Sequence, residues 1–82
     1  MSERCNVEYV LSGVFRAIEQ LAVRRAEKEF LRRRAVEMAF VTCASREADG
    51  VLHLHESVVA LAGARLQMKI TAAGSSLDTE QI

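Results

Sequence analysis

No proline interrupts the chain, and its first half carries an apolar stripe at helical spacing. That combination constrains the fold more than any other feature. Val7, Val10, Leu11, Val14, Phe15, Ile18, Leu21 and Ala22 follow one another at intervals of three and four, which lines one face of an α-helix. Asn6 stands where an N-cap is needed, since its side chain can accept a free N–H of the first turn. Gly13 falls inside this run. It weakens a helix by about 1 kcal/mol relative to alanine but lets another helix approach closely.

The stripe thins through Val23–Phe40 without stopping. Ala22, Ala26, Phe30, Arg34 and Met38 are spaced by four, with the Arg34 stem able to lie along its apolar neighbours. Arg25, Glu29, Arg33 and Glu37 alternate in sign at the same spacing, and each such pair stabilises a helix by about 0.2–0.5 kcal/mol. The spacing predicts one helix from Asn6 to Ala44, about 60 Å long, or two shorter helices if the chain breaks at the Arg-rich block. Gly50 then supplies a turn or C-cap.

The second half admits two readings. Leu52, His55, Val59, Ala62, Leu66, Ile70 and Ala73 fit a helix over 51–73, with Gly63 as its weak point. "VLHLH" and "RLQMKIT" also alternate, as short strands do. The helix is the preferred reading, because two isolated strands make a poor sheet. The polar end, "GSSLDTEQI", reads as a frayed tail. The expected fold is therefore all-α: a long helix and a shorter one folding back, an αα-hairpin. The expected organisation is one helical domain over residues 1–74 and a flexible tail over 75–82.

Size then bears on function. A chain of 82 residues buries only about 60% of the surface it exposes when unfolded. A helix of about 22 residues spans about 33 Å and leaves part of a 60 Å partner uncovered. A second copy could cover that remainder as a dimeric helical bundle, and so could another protein. Val10, Leu11, Val14, Phe15, Ile18 and Leu21 are the expected interaction residues on one seam. Leu52, Val59, Leu66 and Ile70 form the opposing one.

Eleven basic and eleven acidic residues balance. The chain therefore lacks the global basicity that drives nucleic-acid binding. Locally, residues 24–34 hold six cations and two acids. Arg24, Lys28 and Arg32 share one helical line and could steer an acidic protein partner. A nucleic-acid patch on the same three residues is the alternative, although stacking aromatics are scarce. Cys5 and Cys43 read as isolated thiols of a reducing compartment, Cys43 as a small buried hydrophobe. The first residues lack the apolar core of an export signal, and no window is long and apolar enough for a membrane span. A cytoplasmic location is expected, and the Ala/Arg/Val-rich usage suggests a bacterial source.

Chemistry-bearing motifs are scarce. His53, His55 and Glu56 form the one metal-like cluster, and two histidines at i, i+2 diverge on a helix. No phosphate-cradling glycine loop, nucleophile elbow or paired carboxylate is present. A cysteine or metal enzyme is the weakest reading, and no cofactor is expected. The expected function is a non-enzymatic helical interaction module: a small regulator, anti-activator or chaperone that binds or sequesters another protein.

Overall fold

The computed structural model describes residues 5–61 and 63–81. It is an α+β structure: helix α1 (Val7–Glu19), helix α2 (Arg25–Asp49), then strands β1 (His55–Leu61), β2 (Ala64–Thr71) and β3 (Gly74–Gln81). The strands form an antiparallel meander in the order β1-β2-β3. The all-α hairpin expected from the sequence is thus overturned, and with it the description of the chain as helical.

The first half follows its periodicity. The Asn6 side chain accepts the Tyr9 N–H at 3.1 Å and starts α1. The helix ends where the Gln20 and Leu21 N–H groups bond the Ala17 and Ile18 carbonyls, three residues back, a tightening common at helix ends. The chain then breaks at 20–24, just ahead of the densest charge, so two helices replace one. Lys28 Nζ donates to the Glu19 carbonyl at 2.9 Å, and the Arg32 guanidinium donates to the Glu19 carboxylate. Both contacts hold α2 against the negative end of the α1 dipole. Gly50, in the left-handed conformation at φ 73°, closes α2.

The second half is where the helical reading fails. Its periodic residues His55, Val59, Leu66 and Ile70 share one face of the sheet. Positions four apart share a face on a strand as well as on a helix, so the pattern could not separate the two. The objection that two strands make a poor sheet is met by a third strand. The segment expected to be a flexible tail is, over Gly74–Gln81, β3, with Leu77 paired opposite Met68.

One core fills the space between the helix pair and one sheet face, in the two-layer manner of small domains. Val10, Leu11, Val14 and Ile18 enter it from α1; Leu31, Ala35, Met38, Ala39 and Cys43 enter it from α2. Leu66, Met68 and Ile70 enter from β2. α1 packs mainly on β3, and α2 chiefly over β2 with a lighter contact to β1. The opposite sheet face is polar: Glu56 faces Lys69, and Arg65 faces Glu80, across neighbouring strands. Such opposed charges stabilise a sheet by about 0.2–1 kcal/mol each.

A disulfide joins Cys5 to Cys43, whose Cα atoms are 5.3 Å apart. This corrects the expectation of two separate thiols. It ties the residue before the N-cap of α1 to the second half of α2 across 38 positions of sequence.

Candidate interaction surface

The structure divides the expected interaction residues between the core and the surface. Val10, Leu11, Val14, Ile18, Leu66 and Ile70 are buried, while Phe15, Leu21 and Val59 are half-buried against them. These side chains serve the interior of a single chain, because the sheet covers what a second helix could not. Leu52 is the exception, with 55% of its surface exposed.

The exposed apolar groups lie elsewhere. Phe30, Phe40 and Val41 project from α2; Val51, Leu52 and Leu54 from the linker to the sheet; Val58 from β1; and Tyr9 from α1. All are at least half exposed, Phe40 most at 60%. Most gather at one end of the molecule. There the second half of α2, the linker and the β2–β3 turn come together, with Thr42 bonded to His55 and Leu54 in a shallow groove with Lys69, Thr71 and Gly74. Leu52 apart, sequence reading misses these residues, because large apolar side chains on a helix, Phe30 and Phe40 among them, read as core. The signal that could have found them is the burial phase of α2: Leu31, Ala35, Met38 and Thr42 face inward, which leaves Phe30, Phe40 and Val41 outside.

The linker is held by polar contacts, so its apolar side chains project from a defined backbone. Arg46 donates to the Gly50 carbonyl, and the Val51 N–H donates to Asp49 Oδ1 at 2.9 Å. His53 Nε2 lies 2.7 Å from Asp49 Oδ2. The Val51 N–H, followed by His53, holds the Asp49 carboxyl below its usual range. The Thr42 hydroxyl donates its proton to the Met38 carbonyl at 2.8 Å. Its oxygen therefore accepts the hydrogen of His55 Nδ1 at 2.9 Å, which fixes the tautomer of that imidazole. The two histidines thus bond to different partners, with ring centroids 6.3 Å apart. Among the described residues no group of three His, Cys, Asp or Glu side chains is arranged to hold a metal ion.

The Arg-rich block is drawn inward by its own chain. Arg24 pairs with Glu27 at 3.1 Å, Arg25 with Glu29 at 3.5 Å and Arg34 with Glu37 at 3.8 Å. Lys28 and Arg32 are both engaged by Glu19, whose carboxyl is held below its ordinary range chiefly by the Arg32 hydrogen bond. Of the six cations, Arg33 alone has no such partner among the described residues. Arg24, Lys28 and Arg32, which the sequence offers as a patch for an acidic partner or nucleic acid, therefore act first as helix-to-helix and within-helix ties. No helix among the described residues is long and apolar enough to cross a membrane. No protein-family model, no curated protein and no solved structure matches this chain.

Proposed function

We propose that the protein is a non-enzymatic interaction module that associates with itself and holds another protein at its apolar end, as a small regulator, anti-activator or chaperone does. The observation that carries this reading is the linker. Val51, Leu52 and Leu54 are each more than half exposed on a backbone fixed by Asp49 and Arg46, and Phe40 and Val41 are exposed on the second half of α2, which leads into it. Large apolar side chains grouped on a rigid surface mark protein contacts rather than catalysis. Arg33 and the half-exposed Arg34 flank the neighbouring part of α2 and favour an acidic rim on the partner. An oxidised Cys5–Cys43 bridge belongs to an oxidising compartment; a cytoplasmic chain would carry the same pair as neighbouring thiols.

A photo-reactive residue at Leu52 or Phe40 tests the reading in the native cell. A single heterologous adduct is the expected result, and the adduct from Phe40 should be lost in a Leu52→Asp/Leu54→Asp variant that keeps its circular dichroism. If adducts form equally from Leu52 and from Glu80, near the other end of β3, the apolar end is not a binding surface.

A further inference from the structure

We propose that two copies of this chain join through β1 and the adjoining flank of α2, making one continuous six-stranded sheet with the two α2 helices antiparallel on the same face. This deepens the self-association half of the function proposed above; it shares Val41 and Arg34 with that surface but uses neither Phe40 nor the linker.

The first observation is an open edge. β1 pairs with β2 on one side and with no strand on the other among the described residues. An uncovered strand of seven residues presents unpaired N–H and C=O groups to any second strand. β1 also lacks the usual protections: it has no proline, lysine or bulge, and Val58 stands 56% exposed at its centre. Antiparallel self-pairing about Val58 sets His55 opposite Leu61 of the second copy and Ser57 opposite its Val59. It brings the two Val58 side chains together on the outer face.

The second observation is independent of the strand and agrees with it. α2 runs antiparallel to β1 along this flank. Phe30 and Leu61 line one shallow groove. Arg34 Nε donates to Ser57 Oγ at 3.2 Å. Arg34, Glu37 and Val41 line a second groove with His55 and Glu56. The dyad that sets Leu61 against His55 therefore sets Phe30, beside Leu61, against Val41 of the second copy, beside its His55. The same operation sets Arg34 against Glu37 of the second copy, and Glu37 against its Arg34.

The flanking stripe thus reads apolar, positive, negative, apolar, which is complementary to itself when reversed. Isologous contacts require this property, since one surface must fit its own copy. Arg34 and Glu37 have half or more of their side-chain surface free, and their pairing within the chain is long at 3.8 Å. Both can therefore accept partners across the dyad.

The layer spacing also fits. Strands about 4.8 Å apart put the two copies of β2 about 14 Å apart. Helices lying between β1 and β2 then meet at roughly the 8–10 Å separation of packed helices.

Charge exchange tests the proposal. Arg34→Glu and Glu37→Arg each place like charges across the dyad and should convert the dimer to a monomer in sedimentation equilibrium. The double variant restores both pairs and should recover the dimer, which loss of folding in a single variant could not mimic. Val58→Cys should join to itself through a short bis-maleimide linker, whereas Ser76→Cys should not. A wild-type chain that sediments at 9.1 kDa at millimolar concentration overturns the proposal. So does a dimer that both single variants leave intact, or one in which Val58→Cys fails to cross-link. Absence of any heterologous adduct from Leu52, with the dimer retained, would count against the partner-binding reading alone.

Discussion

The hydroxyl of Ser75 sits between two backbone groups of α1. It accepts the Val14 N–H at 3.0 Å and donates to the Val10 carbonyl. These two groups are the ones that pair with each other in an uninterrupted helix. The first residues of β3 are therefore built into the hydrogen-bond ladder of a helix more than sixty positions earlier. This is possible only because residue 13 has no side chain: a Cβ there would lie 2.2 Å from the Ser75 carbonyl oxygen. Gly13→Ala should thus lower stability by about 2 kcal/mol, although alanine is worth about 1 kcal/mol more than glycine in a free helix. Urea unfolding gives the sign. A variant more stable than wild type would mean that α1 and β3 do not approach so closely.

Reduction should weaken the fold through the Cys5–Cys43 bridge. Its span of 38 positions restricts the unfolded chain, and removing it should cost about 3 kcal/mol, or lower Tm by about 15 °C. Calorimetry of the Cys5→Ser/Cys43→Ala variant, with and without reductant, checks this. The variant should be insensitive to reductant, while wild type should fall to meet it.

Acid should loosen the contact between the helices. The carboxyl of Glu19 titrates below its ordinary 4.5 because Arg32 donates a hydrogen bond to it and adds its charge. A carboxyl lowered on folding contributes stability that is present above the ordinary value and is lost as pH falls through the folded value. Asp49, held below its ordinary 3.8 by the Val51 N–H and then His53, acts in the same direction over a lower range. Carboxyl titration by NMR should show the Glu19 midpoint rising in Arg32→Gln while that of Asp49 stays in place.

The third strand is expected to be indispensable. Leu77 is the one large apolar residue of β3, is partly buried, and stands opposite Met68. Leu77→Asp would bring a carboxylate against a buried side chain and should cost about 3 kcal/mol or more. Dye binding to newly exposed apolar surface, with α1 amides exchanging faster, is the expected readout. Unchanged amide protection in α1 would show that the helix pair holds without the strand.

Particular residues explain how far the sequence could be read. Asn6, Gly50 and the stripe from Val7 to Ile18 carry local information, because capping and burial within one helix depend on near neighbours. They gave α1, the end of α2 and most of the helical half of the core. The break at 20–24 was legible only as an alternative, since Lys28 and Arg32 close on Glu19 after the chain has turned. The sheet was misread because His55, Val59, Leu66 and Ile70 satisfy both periods. The deciding strand, "GSSLDTEQ", carries a single large apolar side chain. Its place is set by Gly13 and Ser75 meeting across the whole chain, a relation that no local pattern records. The exposed surface was hidden for a related reason: Phe30 and Phe40 look like core until the inward phase of α2 is known.

The bridge from Cys5 to Cys43 has a mechanical consequence as well. Tension applied to the two ends would enter α2 through the sulfur atoms and bypass everything between them. α1 and α2 as far as Cys43 would hang as a slack ring outside the line of force. Only the end of α2 beyond Cys43, the linker and the sheet would then have to bear a pull.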